Sequence, residues 1–213
     1  MLDNDTMVIN ILAAYADANT SERRDGFAWY PEALDFAQGL TDAYGIRVEQ
    51  SAAVIAALSP QLDWERNKVW AAEVVEAWHA GTILPRRGLG NSLRRAAIAL
   101  RGDLTDIQRE SGSLKVNRFY HSILGHAGYA TVDRHALRVA LGNYGDAVPA
   151  MSDGTYRKVE RAYIDASGEL RKATRHIQAV TWIVCRRERG LIDDPNKYAR
   201  EMAKRRHPSN ANR

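Results

Sequence analysis

The chain has 213 residues, 45% of them hydrophobic and 26% charged, with a net charge of +4, an ordinary soluble composition long enough for one well-filled core or two small lobes. No apolar run approaches the roughly 20 residues of a membrane span, and the acidic opening MLDNDTMVIN lacks the basic region of a secretory signal. The expectation is a cytoplasmic, nucleoid-associated protein with no membrane partner. One cysteine, Cys185, excludes an intramolecular disulfide and any zinc or iron–sulfur site built on cysteines, so catalysis is expected to rest on side chains, with no metal and no cofactor.

The basic residues cluster at Arg86-Arg87, Arg94-Arg95, Arg171 to Arg175, Arg186 to Arg189 and Lys204 to Arg206. Such clusters suit a polyanion, because neutralised phosphates release counterions, although solvated helix faces account for them equally well. Lysine occurs only at 68, 115, 158, 172, 197 and 204, so a lysine in a chemical site carries some information.

Helix-period apolar spacing recurs along the chain. Val8, Ile9, Ile11, Leu12 and Tyr15 mark a first helix capped by Asp5 or Thr6. A second starts at Pro31, with Leu34, Phe36, Ala37 and Leu40 as its stripe and Gly45 as its stop. The third spans Val48 to Leu58. The fourth runs from Asp63 or Trp64 to His79. After a Pro/Gly loop, Asn91 caps a helix through Arg101, Lys115 to Leu124 forms another, and Gly125 to Tyr129 reads as a turn. Asp133 caps the helix ending at Gly142, and two more cover about Ser152 to Ala166 and Glu169 to Arg189. The expected fold is all-α, a two-lobed orthogonal bundle with a central cleft. Over residues 1–213 it is a single unit, with lobe one about 1–80 plus 150–200, lobe two about 84–149, and 204–213 a flexible basic tail.

Lys115 stands eighteen residues before Asp133. An excised base leaves its sugar through a transition state of oxocarbenium character, so a fixed carboxylate beside C1′ is useful electrostatically. At a helix N-terminus the charge of Asp133 is favoured by the dipole and by free backbone N–H groups. A partly desolvated lysine amine is able to attack the same carbon and form a Schiff base. By spacing alone, a helix cap and a surface charge explain the two residues more simply.

The surrounding text shifts that balance. Lys115 followed by "NRFYHSIL", a short turn and "TVDRHALRVALG" resembles the core of the helix–hairpin–helix GPD superfamily of DNA glycosylases, the endonuclease III-like enzymes. Val132, Asp133, His135 and Arg138 match the family's VD-x-H-x-x-R segment in order, and the lysine–aspartate separation is the family's. In "AALSPQLDWERNKVWA", Leu58, Ser59 and Gln61 resemble its LS-x-Q segment, whose Gln helps fill the gap left by a flipped base. The hairpin departs from the pattern: "RESGSL" stands where L-P-G-x-G is usual, and the four-cysteine iron–sulfur loop is absent.

The resemblance implies a divergent, monomeric DNA glycosylase acting on double-stranded DNA that carries a modified or damaged base. Lys115 and Asp133 would be catalytic, with AP lyase activity if the amine attacks. Gln61, Ser111, Gly112, Ser113, Asn117 and Arg118 would contact DNA, and Trp29, Tyr30, Tyr120, His121 and His135 would line the base pocket. The unusual hairpin turns the expectation towards a bulky hypermodified or glycosylated pyrimidine of phage DNA, as in antiviral defence. The alternatives are a base-hypermodification transferase on the same fold and a non-catalytic DNA-binding module.

Overall fold

The computed structural model describes residues 3–87, 90–109 and 113–191, which form ten helices and no strand. The all-α expectation is met. α1 (Asn4–Asp17) begins at Asp3, whose carboxylate accepts from the Thr6 N–H, slightly ahead of the caps read from sequence. α2 (Thr20–Tyr44) runs straight through Pro31, where a new helix was expected. Its start is set upstream by the reciprocal Asn19–Glu22 capping box, and Pro31 forfeits one backbone bond without ending the helix. Gly45, at φ 66°, closes it in the left-handed conformation.

α3 (Val48–Leu58) is followed by α4 (Trp64–His79), capped by Asp63. α5 (Gly90–Leu100) leads to a short helix, α6 (Thr105–Gln108), which has no counterpart in the sequence reading. α7 (Leu114–Ile123) starts at Ser113. α8 (Arg134–Leu141) lies between its cap Asp133 and Gly142. α9 (Asp153–Leu170) starts at Ser152, and α10 (Thr174–Glu188) ends the described chain. Among the described residues no helix is long and apolar enough to cross a membrane.

Two buried clusters organise these helices. The first gathers Tyr30 and the later part of α2 with α3, α4, α5, α6 and α7. At its centre lies α3, whose Ala52 to Leu58 are almost wholly inaccessible and which packs against α2, α4, α5 and α7. The second gathers α1, α8, α9 and α10 with Ala130 and Val132. This grouping differs from the expected lobes: α5 and α7 share a core with α3 and α4, while α8 joins α1, α9 and α10. Residues 192–213, including the expected basic tail 204–213, lie outside the described chain.

α7 and α10 connect the clusters. Leu114 belongs to the second core, whereas Val116, Phe119, Tyr120 and Ile123 of the same helix belong to the first. The N-terminus of α7 is thus where the cores meet. Arg118 of α7 pairs in two bonds with Glu160 of α9, at 2.7 and 3.0 Å, with both side chains buried. Breaking such a pair by removing one partner typically costs about 3–5 kcal/mol.

Candidate functional site

Asp133 anchors the site. Its Oδ1 accepts the backbone N–H groups of His135 and Ala136, each at 2.9 Å, so the carboxylate caps α8. Its Oδ2 accepts the indole N–H of Trp182 at 3.0 Å. Backbone and indole together hold the carboxylate, which is half-buried.

One face of α10 organises this neighbourhood. Arg175, Gln178 and Trp182 follow the i, i+3, i+7 spacing of a single stripe. Arg175 donates to the Gly125 carbonyl at 2.7 Å, Gln178 Oε1 lies 2.9 Å from the Tyr30 hydroxyl, and Trp182 holds Asp133. The Tyr30 hydroxyl is also 2.9 Å from Thr131 Oγ1. It has one proton and the amide oxygen only accepts, so the proton goes to Gln178 and the threonine hydroxyl donates to the phenol. Burial drives the Tyr30 pKa well above the phenol range, keeping it neutral.

Lys115 lies in the first turn of α7 and is half-buried. No described residue forms an ion pair or hydrogen bond with its amine. Phe119, one turn later on the same face, has its ring centroid 5.8 Å from Trp29, 6.4 Å from Tyr30 and 6.3 Å from Trp64. Trp29 and Tyr30 also meet edge to face at 4.7 Å. Tyr30 and Phe119 are buried members of the first core, 2% and 5% exposed, so these ring contacts are packing between α2, α4 and α7, and the expectation that Tyr30 lines a base pocket is corrected.

Gln61 lies in the α3–α4 connection. It is exposed and sits at φ 65°, left-handed geometry that a residue with a Cβ seldom adopts. Trp64, just beyond it, packs on Trp29 at 5.0 Å, at the edge of the first core.

Other expected site residues are occupied elsewhere. Asn117 was expected at DNA; it is 1% exposed and donates to the Ile107 and Gln108 carbonyls, tying α6 to α7. Arg118, also expected there, is 6% exposed and committed to Glu160 and Asn117. Both expectations are corrected, because buried groups with internal partners are unavailable to a phosphate. Ser113 caps α7 through a 3.4 Å bond from the Val116 N–H. Ser111 and Gly112 lie outside the described residues.

Tyr120 is a member of the first core, with its hydroxyl 3.4 Å from Gln108 Nε2, rather than a pocket wall. His121 stacks on Tyr129 at 4.3 Å and places its Nδ1 2.8 Å from that of His126. His135 packs edge-on against Trp182, with Nδ1 3.4 Å from Cys185 Sγ. Burial lowers its pKa, Asp133 opposes that shift, and Arg186, Arg138 and Arg189 reinforce it. Burial likewise pushes the Cys185 thiol up to about 11, so it is no ready nucleophile. Among the described residues no three His, Cys, Asp or Glu side chains gather as a metal set requires.

Trp182, Gln178 and Arg175 were not singled out by the sequence reading. Their i, i+3, i+7 spacing on one face of the helix was the available signal.

The chain belongs to a family of unknown function, DUF7178, whose model matches residues 1–189. No curated protein and no solved structure matches it.

Proposed function

We propose that this family member is a divergent DNA glycosylase that removes a modified base from a flipped nucleotide. What supports the reading is that α7 starts where the two cores meet, with Lys115 half-buried in its first turn, and that the half-buried Asp133 carboxylate caps α8. Aromatic faces suit an extruded base, and base–aromatic stacking contributes about 1–3 kcal/mol per base.

In the reaction, the base departs from C1′ with the electron pair of the glycosidic bond and takes up a proton. Asp133 stabilises the positive charge on the sugar. The Lys115 amine forms the new N–C1′ bond, loses its proton and opens the sugar to a Schiff base, from which β-elimination nicks the strand. Gln61, projecting from its left-handed turn, fills the space the base vacates. The unusual hairpin favours a bulky modified pyrimidine as substrate.

Borohydride trapping tests the proposal. The full chain is incubated with duplexes from unmodified and heavily modified phage DNA, and the covalent adduct is separated on a denaturing gel. An adduct lost in Lys115→Ala is expected. Alkali-labile abasic sites lost in Asp133→Asn, without an adduct, would restrict Lys115 to an assisting role. Neither product on any DNA would overturn the proposal.

A further inference from the structure

Beyond Asp133, the contact between α8 and α10 becomes cationic. His135 meets Cys185 across it, and further along both helices Arg138 and Arg189 converge on the α8–α9 connection. Arg138 donates its Nε–H to the Gly145 carbonyl at 2.9 Å and an Nη1–H to the Arg134 carbonyl at 3.3 Å. Arg189 donates from Nη2 to the carboxylate of the next residue, Asp146, at 2.8 Å. The two guanidinium groups therefore meet at two consecutive residues of one loop.

The charge there is poorly compensated. Arg138 is 5% exposed and the Arg189 side chain 18% exposed, so neither is fully screened by water. Burial first, and then the neighbouring charge of Arg189, hold Arg138 below the ordinary guanidinium range. Arg134 and Arg186 add positive charge to the same surroundings. Of the facing carboxylates, Asp133 is committed to its cap and Trp182. Asp146 is 96% exposed, and so offers only a weak, solvated counter-charge.

A second observation is independent of the charge. Arg189 Nε and Nη1 are shielded from solvent and meet no acceptor among the described residues. Buried donors without acceptors are uncommon in folded proteins and call for an explanation. An oxyanion beside Arg189 would accept from them and neutralise the cluster at the same time.

We propose that Arg189 binds a phosphate at the C-terminal end of α10, with the buried Arg138 adding positive charge beside it and the Asp146 carboxylate as its displaceable internal competitor. A tetrahedral phosphate presents acceptors in several directions and so reaches donors that a single carboxylate oxygen does not. Arg138 lies five residues along α8 from Asp133, about 7–8 Å at the helical rise, roughly one nucleotide step. A backbone phosphodiester next to the nucleotide at Asp133 is thus within reach, and free phosphate has the same chemistry. Only the backbone assignment rests on the proposed function.

The test uses the full chain, Arg189→Gln and Asp146→Asn. Thermal unfolding is followed while inorganic phosphate replaces chloride at constant ionic strength. The expected result is a saturable rise in Tm for the wild type, no rise for Arg189→Gln, and half-saturation at several-fold lower phosphate for Asp146→Asn, whose competitor is gone. A purely structural Arg189–Asp146 ion pair predicts a lowered Tm for both variants and no saturable phosphate response in any protein, which would overturn the site.

A second arm measures binding to a duplex against salt. If the ligand is a DNA backbone phosphate, Arg189→Gln reduces the slope of log K against log salt by about 1. An unchanged slope with the phosphate response intact assigns the site to free phosphate. A wild-type protein that binds no DNA sinks the glycosylase proposal while leaving the phosphate response as the measure of this one.

Discussion

The Trp182 indole donates to Oδ2 of Asp133 while Oδ1 of the same carboxylate takes two backbone N–H groups of α8. Trp182 thereby does for one oxygen what the helix N-terminus does for the other. Trp182→Phe keeps an aromatic ring against His135 and under Arg186 but removes the indole donor. A hydrogen bond to a charged group contributes about 1.5–3 kcal/mol, so the variant should lose stability of that order or less in urea unfolding. In single-turnover base release, the chemical step should slow about tenfold with little change in KM. Asp133→Asn should keep the cap, since Asn is as good a cap as Asp, while abolishing release. Full release by Trp182→Phe would show that the indole bond has no part in positioning the carboxylate.

Gln61 carries a backbone cost that its exposed side chain does not offset in the free protein. A non-glycine residue in left-handed geometry gives up about 1 kcal/mol or slightly more, and at φ 65° glycine relieves it. Gln61→Gly should therefore raise unfolding stability by roughly 0.5–1 kcal/mol. The same change should reduce excision from duplex DNA more than from single strands, where no gap needs filling. A variant that is both stabilised and fully active on duplexes would remove the plug role from Gln61.

Most helices were legible in the sequence because their ends are written locally. Asp63, Ser152, Asp133, Gly45 and Gly142 sit where cap chemistry puts them. Pro31 misled because its φ suits both a helix start and a helix interior, and the deciding signal was the Asn19–Glu22 box upstream. The division into cores was not legible: it depends on which apolar stripe faces which, and α8 carries nothing local that sends it to α1 and α10 instead of α7. For the candidate site, Lys115 and Asp133 were found through spacing and resemblance. Asn117 and Arg118 were misplaced because a polar residue on a helix looks the same in sequence whether it faces solvent or an internal carbonyl or carboxylate. Trp182 was missed because its partner is 49 residues away in the chain.

A close approach between α2 and α10 bears directly on the site. A Cβ built on Gly26 would lie 2.5 Å from Val180 Cγ2 and 2.8 Å from both Val180 Cα and N, so α2 and α10 are in contact through backbone. Gly26→Ala must push α10 away, and overpacking of this kind costs about 1–3 kcal/mol. Gln178 and Trp182 flank Val180 on α10, so the displacement should also loosen the Tyr30 and Asp133 bonds. The expected outcome is a lower unfolding midpoint together with weakened protection of the Trp182 indole N–H in hydrogen exchange. A neutral effect on both would mean that the helices separate without strain.

The His121–His126 contact makes stability sensitive to mild acid. Burial first, then His126 and Arg118, lower the His121 pKa from 6.5 to about 4. The two Nδ1 atoms are 2.8 Å apart, an approach that requires one of them to be an unprotonated acceptor. Between about pH 6.5 and about pH 4 the unfolded chain binds a proton at this residue that the folded chain refuses. Stability from this residue is therefore present above pH 6.5 and is lost as the pH falls towards 4. His121→Gln, which can still accept from His126 and lie against Tyr129, removes the titration. Its Tm should fall less steeply than that of the wild type across that window, with the two curves parallel above pH 7. Parallel curves throughout would mean that His121 takes up its proton in the folded protein as readily as in the unfolded chain.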